Sequence, residues 1–104
     1  MTRVAVLAAV LVCMAVAPAL AAGDAEAGHG LALKWCTSCH VVDAGSTQGS
    51  DTAPSFASIA QRHAKDQGWL RAWLTAPHPP MPNLGLSRQQ IDDVMAYLGS
   101  LAPR

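Results

Sequence analysis

Five consecutive residues, Cys36-Thr37-Ser38-Cys39-His40, restrict this chain more than any other stretch of it. Two cysteines separated by two residues can each add a thiol across a vinyl group of a haem, and a histidine directly after them is placed to ligate the iron from one face. The spacing has other chemistries. A Cys-x-x-Cys pair also serves as a redox dithiol or as half of a zinc site. A redox dithiol normally opens a helix after a strand, and no strand-like alternation precedes Cys36. A zinc site needs further ligands at close spacing, yet no cysteine follows Cys39, and His63 and His78 are isolated. A bare disulfide across so short a loop would stabilise little. Covalent haem attachment is the reading that uses both cysteines and the histidine.

The start of the chain reads as an export signal. Arg3 supplies a short positive region, Val4 to Ala17 an apolar run, and Ala19-Leu20-Ala21 a small-x-small cleavage pattern, so residues 1–22 are expected to be removed. The apolar run is short for a membrane span and meets Pro18 before small residues, which favours removal over anchoring. Cys13 follows the bulky Val12, where a lipoprotein signal wants a small residue, and is expected to leave with the leader. The expected location is therefore periplasmic, with no stable membrane anchor once the leader is cleaved.

Residues 23–104 carry Lys34, Arg62, Lys65, Arg71, Arg88 and Arg104 against Asp24, Glu26, Asp43, Asp51, Asp66, Asp92 and Asp93, a formal charge of minus one. A net charge so near zero gives nucleic-acid binding no electrostatic footing. At about 82 residues this is one domain, near the size at which a protein core alone gives marginal stability. A covalently held haem would supply a large apolar element at its centre.

The periodicity predicts helices. Asp24 to Trp35 puts Gly28, Leu31, Ala32 and Trp35 on one narrow face that ends at the attachment motif. Residues 43–53 are rich in turn formers and read as a surface loop. Ser55 is a cap for a short helix turning Phe56, Ile59 and Ala60 inward, and Asp66 is a cap for a third with Trp69, Leu70, Trp73 and Leu74 on its apolar face. Those tryptophans pack a core or line a haem pocket; with a haem as the core, the two readings merge. Ser87 with Gln90 forms a capping box for a last helix striped by Ile91, Val94, Met95 and Leu98.

Between them, Ala76-Pro77-His78-Pro79-Pro80-Met81-Pro82-Asn83-Leu84-Gly85 cannot be helical, because four prolines hold it extended and semi-rigid. Met81 has no helical company in this segment, whereas Met95 does. A thioether opposite a histidine favours ferrous iron and closes it to outside ligands. Met81 is thus the candidate distal ligand, and His78, on the same loop, is its rival. His29 falls on the first helix, and His63 is expected to be solvated near a helix end.

With these residues in place, the chain resembles the small class I c-type cytochromes over nearly all of residues 23–104. The resemblance rests on Gly23-Asp24 before a helix containing Gly28, on Cys36-Thr37-Ser38-Cys39-His40, on Ala53-Pro54-Ser55-Phe56, on Met81-Pro82-Asn83 and on Ile91 to Leu98. It implies an all-α, compact cytochrome c fold with about four helices around one haem c and its iron. Cys36 and Cys39 would be the tethers, His40 and Met81 the axial ligands, and Trp69 and Trp73 part of the pocket. Pro54 would offer its carbonyl to His40, and Gly28 would meet Tyr97 where the first and last helices cross. Ala32 departs from the aromatic often found at that crossing, a volume that Trp35 or Leu31 would fill. The implied function is carriage of single electrons, not enzymic catalysis, with redox proteins (a dehydrogenase, an oxidase or another cytochrome) docking transiently at the haem edge. Two other readings stay open: a subunit held on a periplasmic dehydrogenase, and a five-coordinate haem that binds a gas or reduces peroxide.

Overall fold

The computed structural model describes residues 23–45, 49–63 and 65–103, so the expected leader at 1–22 lies outside the described residues, as does part of the loop expected at 43–53. Four helices follow in order: α1 (Ala25–Trp35), α2 (Phe56–His63), α3 (Gln67–Thr75) and α4 (Arg88–Leu101). The described residues contain no strand, and the all-α architecture is as expected.

Each helix starts where a side chain can take up free amides. Asp24 accepts from the amides of Glu26 and Ala27 at the head of α1, and Ser55 accepts from Ser58 in α2. Asp66 accepts from Trp69 in α3, and Ser87 and Gln90 complete their capping box in α4. Each such cap is worth about 1 kcal/mol. Pro77 stops α3, and the segment after it contains a cis bond between Pro79 and Pro80.

The core is built on α4. Ile91, Val94, Met95, Tyr97 and Leu98 are buried and meet Ala32 of α1, Phe56 of α2, Leu70 of α3 and Val42 of the connection. Burying side chains of this size contributes about 1.5–3 kcal/mol each. α1 crosses α4 without any spacer. A Cβ on Gly28 would lie 1.9 Å from the carbonyl oxygen of Asp93, and one on Gly23 equally close to that of Asp92. Asp93 is buried here, its carboxylate accepting from the Asp24 amide and from Gln89.

The crossing sharpens three expectations and overturns one part of them, the place of Trp35. The groups against Gly28 are the backbone of Asp93 and Val94, while Tyr97, one turn on, stacks its ring on His29 at 4.6 Å. Ala32 is fully buried and closes the contact itself, with Leu31 packed alongside the core. Trp35 is not on the buried face: it is 51% exposed, with the Lys34 ammonium over its ring.

Candidate haem site

The attachment residues leave α1 in a tight turn. Cys36 caps the helix, its carbonyl accepting from the amides of Cys39 at 3.2 Å and His40 at 2.9 Å. Cys36 is half-buried beside the core and Cys39 is exposed. Burial pushes the Cys36 thiol above its ordinary range, which keeps it protonated. A redox dithiol needs the opposite, a stabilised thiolate. Among the described residues no three His, Cys, Asp or Glu side chains gather as a metal cluster, so the zinc alternative finds no second half.

A second strand of loop is laced to this turn and holds the histidine. Ser50 donates to the carbonyl of Thr37, Ala53 to that of Cys39 and Phe56 to that of Val41, each at 2.8–2.9 Å. Gly49 begins the lacing with φ +93°, and a Cβ there would sit 2.5 Å from the His40 carbonyl oxygen, so only glycine fits. Pro54 is thereby placed to accept from His40 Nδ1 at 2.6 Å. That bond fixes the tautomer, leaving Nε2 with the lone pair a metal needs. Phe56 sets its edge against the imidazole, with ring centroids 5.4 Å apart.

On the other side, α3 and the proline segment come together. The Trp73 indole N–H donates to Met81 Sδ at 3.1 Å, and Met81 is half-buried. His78 is exposed and lies with its ring on Trp73. Trp69 stacks on Trp73 at 5.4 Å, and His63 stacks on Trp69 at 3.7 Å. One expectation is corrected, since His63 is half-buried under the Trp69 ring and not freely solvated; Trp69 itself, 40% exposed, is not part of the protein core. The reason is that Leu70 and Leu74 supply α3's contact with the core, so Trp69, next to Leu70 on a short helix, turns outward.

Sequence reasoning missed one part of the surroundings. Tyr97 donates to the carbonyl of Val42 at 2.6 Å and approaches the Asp43 carboxylate, which also meets His29 Nε2. These side chains lie 14 and 54 residues apart from Asp43, and no local pattern announces them.

A family model described as cytochrome c matches residues 25–102. The chain belongs to the cytochrome c family. It is similar to cytochrome c-552 of Bradyrhizobium diazoefficiens, with 44% identity over 97 residues that cover 88% of this chain and 93% of the relative. No solved structure matches it. As a c-type cytochrome it carries covalently bound haem c with iron, and Cys36 and Cys39 fit the attachment pattern. The donor set fits the group: two free thiols on a turn and a tautomer-fixed imidazole beside them. The cytochrome is an electron carrier whose partners are redox proteins.

Proposed function

We propose that this cytochrome carries single electrons in the periplasm, with Cys36 and Cys39 as the covalent tethers, His40 as the proximal ligand and Met81 as the distal ligand. The observation that carries the ligand assignment is the pair of supporting hydrogen bonds. The Pro54 carbonyl holds the His40 ring, and the Trp73 indole holds the Met81 thioether. Both atoms are oriented from a second layer, which is how a ligand's position and basicity are set. His78, the rival on the same loop, has its exposed ring against Trp73.

The bound haem supplies a one-electron couple. The chain's part is to hold that couple still and to keep water from it. A rigid proline segment limits the movement of Met81, and a neutral thioether opposite an imidazole favours the reduced state. Residues 1–22 carry the export pattern, and the mature domain over 23–104 follows from it. No helix among the described residues is long and apolar enough to cross a membrane.

The test is the absorption spectrum of the oxidised, haem-loaded protein. We expect the weak far-red charge-transfer band of iron bonded to methionine sulfur, and we expect it to vanish in Met81→Ala. A wild type lacking the band would move the ligand to His78 or leave the iron open. Carbon monoxide added to the reduced protein separates those two outcomes, since an open iron takes it up.

A further inference from the structure

His29, Asp43 and Tyr97 form a titratable cluster that electron carriage, as described so far, leaves unused. His29 Nε2 meets the Asp43 carboxylate, and the His29 ring lies on that of Tyr97, 21° from parallel with centroids at 4.6 Å. The Tyr97 hydroxyl donates to the Val42 carbonyl at 2.6 Å and lies 3.3 Å from Asp43 Oδ1. His29 and Asp43 keep 36% and 30% of their side chains exposed, so both are open to protons from solvent. On α1 itself, Glu26 stands one turn before His29, and Lys34, the one cation of that helix, lies over the Trp35 ring. From α4 come the neutral phenol of Tyr97 and, a turn earlier, Asp93, whose carboxylate is taken up by the Asp24 amide. Of these groups only an imidazole changes charge between about pH 5 and 8.

Two links join the cluster to the attachment turn. The Tyr97 ring stands 6.1 Å from that of Phe56, whose edge stands 5.4 Å from the His40 imidazole. Val42 and Asp43 also follow His40 by two and three residues, and the intervening Val41 accepts from the Phe56 amide. Tyr97, Phe56 and Val42 are buried, so protein rather than water lies along this path. Charges that face each other through such material are screened little.

We propose that His29, held by Asp43 and Tyr97, is a redox-linked proton site, which takes up protons when the cytochrome is reduced and releases them when it is oxidised. It rests on His40 as the proximal ligand. With Nε2–H donating to Asp43, the proton arrives at Nδ1, and the imidazolium so formed adds a positive charge at one end of the ring path. Oxidation adds a positive charge at the other end. Like charges oppose each other, so the oxidised protein holds this proton less tightly than the reduced one. By reciprocity the proton raises the reduction potential by the same free energy. In each cycle one electron arrives from the donor protein and a fraction of a proton from solvent. Both leave on oxidation, and no bond between heavy atoms breaks.

The test follows the His29 ring protons by NMR against pH in the haem-loaded protein, once reduced and once oxidised, with His29→Gln to assign them. We expect the proton affinity of His29 to be about two- to threefold lower in the oxidised state. Voltammetry should show the potential falling as pH climbs through that titration. The fall should be larger in the wild type than in His29→Gln by about 20–30 mV, the same fold-change at 59 mV per tenfold. The wild-type titrations decide the matter even if His29→Gln folds poorly. Coincident titrations in the two oxidation states overturn the proposal. So does a His29→Gln protein whose potential falls with pH as much as that of the wild type. Failure of the His40 assignment is read separately, as absence of hyperfine-shifted His40 ring protons in the oxidised protein.

Discussion

In the ligation proposed above, Trp73 holds the distal ligand of the iron, and the prediction that follows belongs to that proposal. Its indole N–H on Met81 Sδ draws electron density from the sulfur and so favours ferrous iron. Trp73→Phe keeps the ring and removes the donor. We expect the midpoint potential to fall by roughly 20–40 mV, the equivalent of about 0.5–1 kcal/mol for a one-electron couple. Voltammetry of the two proteins checks this, and an unchanged or higher potential counts against it. Tyr97 gives a second measurement at this scale. Burial, then the nearby Asp43 carboxylate, push its ionisation from 10.0 up to about 12. The fold thus prefers the neutral phenol. A group whose folded value is raised contributes stability below its unfolded value and loses it as pH climbs through the folded one. Denaturation midpoints followed from pH 8 upward should therefore fall above pH 10.0 through about 12. In Tyr97→Phe that component should be missing, at a cost of about 1 kcal/mol at pH 8 from the lost bond to Val42.

At the scale of elements, α1 separates two kinds of glycine. A methyl on Gly28 would run into the Asp93 carbonyl of α4, which is helix backbone and cannot move aside, whereas nothing lies within 4 Å of a Cβ on Gly30. Gly28→Ala should cost about 3 kcal/mol or prevent folding, since it forces the two helices apart. Gly30→Ala should stabilise by about 0.5–1 kcal/mol, because alanine loses less backbone freedom in a helix. Guanidinium denaturation of both haem-loaded variants is the measurement. Equal effects would mean that the crossing does not depend on close backbone approach.

At the scale of the whole molecule, the haem is expected to be a structural element. The described protein core draws one or a few residues from each helix onto α4, and α3 offers it little beyond Leu70 and Leu74. His40, Met81, Trp69 and Trp73 lie outside that core. A chain of about this size has little stability to spare without a further apolar centre. Cys36→Ala with Cys39→Ala removes the tethers. Circular dichroism of that protein should show reduced helix and no sharp thermal transition; a cooperative, fully helical apo chain would refute the expectation.

The order of the helices, their caps, the α4 stripe and the attachment motif could be read from sequence because each depends on neighbours within about one or two turns. Cys36 to His40 needs only spacing, and Met81 stood out because prolines denied it a helical face. What lay out of reach depends on where helices stop and cross. Trp35 fits the face that buries Gly28 and Ala32, yet at the end of α1 half of it is exposed. Trp69 fits an apolar stripe, yet Leu70 takes the core contact and leaves it outward, stacked between His63 and Trp73. Asp43, His29 and Tyr97 meet only because α1 and α4 pack without a spacer. Sequence by itself determined the attachment motif and the order of the helices, since motif spacing and helix formation are local. The tertiary structure decided which aromatic faces reach solvent, because exposure depends on what long-range packing has already covered.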